Sequence, residues 1–173
     1  VALDMLQAGG SAVDAAIAGA VLLGICEPQM TGIGGDCFVL LKPAGSEEVI
    51  GLNGSGRAPL GLNAETLRAK GLKSMPIHGI DTVTMPGAID AFCTLHAAHG
   101  RLPLDQVLAP AIHYAEAGVP VAPRVAADWA EDATVLQGDA RRHLLLNGVA
   151  PQVGQIFRAP GQAEVLRRIA AQG

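Results

Sequence analysis

A chain of 173 residues is long enough for one domain with a real core, and 50% hydrophobic against 16% charged residues excludes a disordered chain. Aromatics are only 3% and the net charge is -4, so the chain has neither the basic face nor the stacking platforms that nucleic acid requires. The most apolar run, residues 15–26, is shorter than the roughly 20 residues that span a bilayer; it reads as a buried helix, and no membrane span is expected in this segment.

In chain order, Leu3, Met5 and Leu6 predict a first helix that stops at Gly9-Gly10. Ser11 caps a second, from Ala12 to about Ile25, with Asp14 in the first turn where the helix dipole favours a carboxylate. Next, in "TGIGGDC", Gly32, Gly34 and Gly35 read as a tight helix-to-strand turn, with Gly34 needing a positive φ or a close backbone contact. "CFVLLK", "PAGS" and "EEVIGLN" predict a β-hairpin whose first strand is apolar on both faces and hence buried. The glycine-rich bend "GLNGSGRAPLG" follows, carrying the single charge of Arg57. Asn63 caps a short helix ending at Gly71, "DTVTMPG" reads as a strand, and Pro86 starts a helix running to about His99. "LPLDQVLAPAIHYAEAG" is an amphipathic helix ending at Gly118, another covers about Val125 to Leu136, and Val165, Ile169 and Ala170 mark a last one. Interleaved strands and helices without repeats or low-complexity linkers predict an α/β or α+β class and a single domain over residues 1–173. Both ends read as cut from a longer chain, with any targeting signal upstream.

Cys26, Cys37 and Cys93 are odd in number and lack C-x-x-C spacing, so they read as small core residues. The Gly-Ile-Gly-Gly turn lies between a helix and a strand, the reverse of the dinucleotide-binding order, and no P-loop Gly-Lys-Ser/Thr is present. His96 with His99, and His113 with Glu116, have i, i+3 spacing but no further ligands, so no metal site is expected. His96 and His99 read instead as partners of a helix C-terminus, and Arg167 and Arg168 as a solvated face. None of Ser11, Ser46, Ser55 and Ser74 lies in a nucleophile elbow. From the residues alone, Arg57 is either a solvated loop residue or an anion contact.

"LQAGGSAVDAAIAGAVLLGICEPQMTGIGGDCFVLL", "MPGAIDAF", "HGRLPLDQVLAPAIHYAEAGVPV" and "GQIFRAPGQAEVLRRIAAQG" together resemble, in order, the large subunit of the γ-glutamyltranspeptidases, over nearly the whole chain. The resemblance implies an α+β class, part of a four-layer αββα N-terminal-nucleophile hydrolase sandwich. It also implies a precursor that cuts itself, a small-subunit partner whose new N-terminal Thr is the nucleophile, a γ-glutamyl small-molecule substrate, and no cofactor. The chain has no Thr-Thr-His segment and its ending resembles the middle of the large subunit, so the resemblance places no catalytic nucleophile here and implies inactivity of the chain alone.

The family's Asp-x-Arg-Glu-x-Ala-Pro motif, whose Arg binds the substrate α-carboxylate, is anchored here on Ala58-Pro59. Its Asp then falls on Asn53, its Arg on Ser55 and its Glu on Gly56, with Arg57 two residues further along. In an extended segment that offset is roughly 6–7 Å on one face. The resemblance therefore implies Arg57, Ser55 and Asn53 as substrate-binding candidates. The departure at Ser55 also brings in a cephalosporin-acylase-like amide hydrolase on the same fold, and a non-catalytic binding module stands as a third reading.

Overall fold

The computed structural model describes residues 1–172, which divide into two compact units: residues 33–92, and the flanking segments 1–32 and 93 onward.

In the flanking-segment unit, α1 (Ala2–Gln7) gives way at Gly9, whose φ of 89 suits only glycine, to α2 (Ala12–Cys26). A reciprocal capping box starts α2: the Asp14 N–H donates to Ser11 Oγ at 3.2 Å and the Ser11 N–H to Asp14 Oδ2 at 2.6 Å. Asp14 is also the buried charge of this core, at 0% exposure, and accepts from the N–H groups of Arg101 at 3.0 Å and Leu102 at 3.4 Å. Burial pushes its carboxyl up, but the bonds from Ser11, Arg101 and Leu102 outweigh that and hold it below the ordinary value of 3.8. A capping residue at one helix start thus fixes the loop between α4 (Ala88–His99) and α5 (Leu104–Ala117). His96, in the last turn of α4 as expected, also joins the same loop, donating from Nε2 to the Leu102 carbonyl at 2.8 Å. Gly100 makes room for this, since a side chain there would meet the His96 ring at 2.5 Å.

Helix α5 packs against both α2 and α8 (Pro160–Gln172). Its Val107, Leu108, Ala111 and Ala115 form one buried stripe, while α2 buries Val13, Ile17, Val21 and Ile25 together with Ala15 and Ala18. Ile25, Ala115, Val119 and Ala163 make one core cluster, and the two alanines among them let the helices approach closely. A second joins Val121, Val125, Trp129 and Phe157, with the two rings edge-on at 4.7 Å. Phe157 belongs to a short ladder, β3 (Val119–Pro120) against β4 (Ile156–Phe157), which is too short to show a period in the sequence. The helix expected over Val125 to Leu136 is α6 (Pro123–Asp132), with proline in its first turn, followed by a separate α7 (Gly138–Leu144). Arg167 pairs with Glu116 and Arg168 with Glu164 on the exposed face of α8.

In residues 33–92, β1 (Cys37–Leu41) and β2 (Ile50–Gly54) form the expected hairpin, antiparallel with Cys37 opposite Gly54 and Leu41 opposite Ile50. The expectation that β1 is buried on both faces is not met: Phe38 is 66% and Leu40 83% exposed, while Cys37, Val39 and Leu41 are half-buried. A two-stranded sheet has only one face packed within this unit. Asn63 caps α3 (Ala64–Ala69) by accepting from the Thr66 N–H at 2.9 Å, and Gly71 follows with φ 80. The strand expected at "DTVTMPG" is instead a single 3-10 turn over Ile80–Thr82, stabilised locally by the Thr82 hydroxyl donating to the Gly79 carbonyl at 2.7 Å. Lys70 ties this turn to α3, its Nζ reaching both Asp81 carboxylate oxygens at 2.7 and 2.9 Å.

The tightest backbone contact of this unit lies where β2 ends. A Cβ on Gly87 would collide with the Gly54 carbonyl and approach the Gly56 N–H at 2.5 Å; one on Gly54 would meet Ala91 at 2.5 Å. Gly34, by contrast, has no positive φ and nothing within 4 Å of where a side chain would begin, so the expected constraint falls on Gly54, Gly56 and Gly87 instead.

Two outcomes follow. Asp14→Ala leaves three N–H donors without their acceptor and should cost about 3 kcal/mol in denaturant unfolding. Because the Asp14 carboxyl is lowered in the folded state, its bonds contribute in full above the ordinary carboxylate value and are lost as pH falls through the folded-state value. The stability gap between wild type and Asp14→Asn should therefore narrow below pH 3.8, and a constant gap would contradict this role. In the same assay Gly87→Ala should destabilise by about 1–3 kcal/mol through overpacking, whereas Gly34→Ala should stay within about 0.5 kcal/mol of wild type.

Candidate functional site

The ladder stops at Cys37 and Gly54, and the candidate residues lie on the chain that leaves it. Asn53, exposed on the last turn of β2, folds its Oδ1 back to accept the Ser55 N–H at 3.0 Å, an Asx-type turn. Gly56 then takes a φ of 73 with its Cα against the Met85 carbonyl, a place no side chain can share. The strand alternation that would set Ser55 and Arg57 on one face therefore ends at Gly54, which corrects the extended reading of this segment. Arg57 accepts the Met85 N–H at its carbonyl at 2.8 Å, and the Thr84 hydroxyl donates to the Ser55 carbonyl at 3.4 Å.

Backbone contacts thus hold the bend from Asn53 to Arg57 along its length, while the guanidinium of Arg57 is exposed and has no side-chain partner among the described residues. Asn53, Ser55 and Arg57 are brought to one end of the hairpin. An open hollow of about 550 Å³ adjoins Asn53 on the strand face, lined also by Phe38, Val39, Leu40, Gly51 and Leu52, so Asn53 is its only amide side chain.

The residues missed from the sequence are those that do the holding. Gly87 and Ala88 both donate N–H to the Gly35 carbonyl, at 3.0 and 3.1 Å, so residues 85–88 hold the chain on both sides of the hairpin's open end. Asp36, between that carbonyl and β1, is exposed at the same end. An acidic residue abutting a buried-type strand was the available signal for it. Cys37, half-buried beside it, has its thiol pushed up by burial and by the Asp36 charge, which makes it a poor nucleophile. His113 lies edge-on to Tyr114, and among the described residues no three His, Cys, Asp or Glu side chains are grouped to hold a metal. Among the described residues no helix is long and apolar enough to cross a membrane.

The family model described as gamma-glutamyltranspeptidase matches residues 1–173. The "glutathione hydrolase-like YwrD proenzyme" of Bacillus subtilis is 36% identical over 162 residues, covering 93% of this chain and 28% of its own length. The "oxamate amidohydrolase proenzyme" of Klebsiella pneumoniae is 34% identical over 186 residues, covering 99% of this chain and 34% of its own. The chain therefore spans about a third or less of these curated relatives. Among solved structures, a cephalosporin acylase from Bacillus halodurans superposes with a TM-score of 0.91 at 44% identity, over 98% of this chain and 33% of its own. The Helicobacter pylori γ-glutamyltranspeptidase superposes with a TM-score of 0.92 at 24% identity, over 99% of this chain and 51% of its own, a likeness of fold. The mixed helix-and-sheet chain is part of the N-terminal-nucleophile hydrolase fold, α+β in class. Fold, motif order and sequence agree: the chain belongs to the gamma-glutamyltranspeptidase family.

Proposed function

We propose that this chain is a single-domain portion of the large subunit of an enzyme that hydrolyses or transfers γ-glutamyl amides, and that its part in the reaction is to hold the acyl donor. The observation that carries this is the partnerless guanidinium of Arg57 on a bend fixed by backbone contacts, in a chain of this family. Arg57 takes the donor's α-carboxylate through two parallel N–H bonds. Ser55 and the Asn53 side-chain amide line the approach.

The nucleophile is the N-terminal Thr of a small subunit cut from the same precursor. Its hydroxyl oxygen attacks the γ-carbonyl carbon while its own α-amine takes the proton. The tetrahedral intermediate collapses, the amide C–N bond breaks, and the departing amine receives that proton. Water or an acceptor amine then attacks the resulting ester and frees the Thr. Distance and direction from Arg57 to the γ-carbonyl set where the carbon meets the Thr oxygen, so the anchor acts through positioning. The proenzyme names among the relatives support the self-cleaving precursor. Without the small subunit this chain has no acyl acceptor and is inactive.

A second reading, amide hydrolysis of a cephalosporin-acylase type, is favoured by one specific observation. Ser55 stands where the family motif has Arg, and the Bacillus halodurans acylase shares 44% identity. The hollow beside Asn53, walled by Phe38, Leu40 and Leu52, suits a less polar acyl group.

Denaturing intact-mass analysis of the native gene product with N-terminal sequencing should show two chains, the second beginning with Thr; one uncut chain with no such Thr would overturn the enzymatic readings. In the mature protein, Arg57→Ala should raise KM for γ-glutamyl-p-nitroanilide about ten- to hundredfold, the scale of a lost charge-assisted contact, with kcat changed much less. An unchanged KM removes Arg57 from the site. Preferential turnover of acyl-cephalosporins over γ-glutamyl anilides would select the second reading.

A further inference from the structure

We propose that Asn147 is a self-modification site, left open by the fold while Asn53 is protected: the Gly148 nitrogen displaces ammonia from the Asn147 side chain, and water opens the resulting imide to an aspartate or its β-linked isomer. The inference is independent of both readings of the amide-cleavage reaction.

The chain has three asparagines, two of them before glycine, and the fold treats the three differently. Asn147 and Gly148 are the central residues of a turn closed by reciprocal bonds. The Leu146 N–H donates to the Val149 carbonyl at 2.9 Å, and the Val149 N–H to the Leu146 carbonyl at 3.2 Å. Both central residues have positive φ, 53 and 83, and among the described residues Asn147 is the one non-glycine that does. Two positive φ values in a two-residue turn are the type I′ pattern, which favours Asn-Gly because both residues tolerate them. The closing bonds use only the flanking residues. The Gly148 N–H therefore makes no hydrogen bond among the described residues, and the Asn147 amide makes none either. Both residues are exposed, and nothing lies within 4 Å of where a Gly148 side chain would begin. An unbonded nitrogen, an unbonded side-chain carbonyl on the preceding residue and open space thus meet in one turn.

The other two asparagines lack this combination. Asn53 also precedes glycine and is exposed, but its Oδ1 accepts the Ser55 N–H, and Gly54 is buried in the ladder opposite Cys37. A Cβ on Gly54 would meet Ala91 at 2.5 Å, so this backbone cannot swing toward the Asn53 side chain without opening the hairpin end. Asn63 holds the Thr66 N–H and hydroxyl with its Oδ1 and precedes Ala64, whose methyl group crowds the attacking nitrogen.

In the reaction, the Gly148 nitrogen gives its proton to base and bonds to Asn147 Cγ. The Cγ–Nδ2 bond breaks, and the nitrogen takes up a proton and leaves as ammonia. Water then adds to one carbonyl carbon of the cyclic imide, whose bond to the Gly148 nitrogen breaks. Opening at Cγ leaves an ordinary aspartate, and opening at the backbone carbonyl leaves the chain running through Cβ and Cγ. Either product carries one added negative charge. Asp-Gly suits the same turn, so the first product keeps it. The second lengthens the backbone between Leu146 and Val149 and breaks their reciprocal bonds.

The native gene product is aged, folded, in mildly alkaline buffer and mapped by peptide mass after digestion in acid, with the same protein unfolded in guanidinium as the clock. In the folded protein Asn147 should convert at least about tenfold faster than Asn53, whose reaction waits on opening of the ladder end. In guanidinium the two rates should converge. An isoaspartate methyltransferase should label the aged folded protein, and Asn147→Gly, which keeps a turn of the same hand, should lose most of that label. Conversion at Asn53 as fast as at Asn147 in the folded protein overturns the inference. So does an Asn147 that stays intact while the unfolded sample converts. An equal preference for Asn147 in guanidinium also overturns it, because the fold then protects neither site.

Discussion

Where β2 ends, the backbone at Gly54 and Gly56 lies so close to Gly87 that no side chain fits between them, and the candidate site depends on that contact. It lets the segment before α4 reach the hairpin and bond it on both sides, at Gly35 and at Arg57. It also ends the strand, because Gly56 occupies a conformation that a side chain would resist. A loop arginine is usually mobile, and fixing its side chain on a ligand costs entropy. Here its backbone is already held, so part of the cost of fixing an anion on it is met in folding.

Asp14 is a comparable device in the helical unit. A carboxylate placed to cap α2 is used again to bind the backbone after α4, so one buried charge orders two parts of the chain that are far apart in sequence. Its burial is tolerable because every near bond comes from an N–H donor, and the low dielectric that makes an unpaired charge expensive makes these bonds strong. The same residue opens the helix by which the sequence resembles its family, Gly-Gly-Ser-Ala-Val-Asp-Ala-Ala. Local capping and long-range fixation therefore fall on one side chain.

What could be read from the sequence were features with a local cause. The Ser11 and Asn63 caps, the stops at Gly9, Gly71 and Gly118, and the hairpin follow from short-range chemistry, and each is in place. Features that needed distant partners were read wrongly or not at all. "DTVTMPG" has strand-like residues but no strand beside it, and Lys70 and Gly79 hold it as a turn. β1 is apolar throughout, yet within its unit only one face is packed. The backbone constraint falls on Gly54, Gly56 and Gly87 and not on Gly34, because glycine content shows that backbone freedom is needed somewhere and not which glycine uses it.

For the site, the sequence supplied the charge and the bend but not their frame. Counting along the family motif places Arg57 two residues from the expected arginine, and on an extended strand that count would fix both its distance and its face. The left-handed Gly56 breaks the count, so neither quantity carries over. The position of Arg57 is set instead by its bond to Met85, a residue the motif does not include. The placement of Arg57 is accordingly a property of the hairpin end together with residues 84–88 that hold it. A change at Gly87 or Met85, which bear no charge, can therefore displace the guanidinium, since a shifted backbone moves it by its whole lever arm.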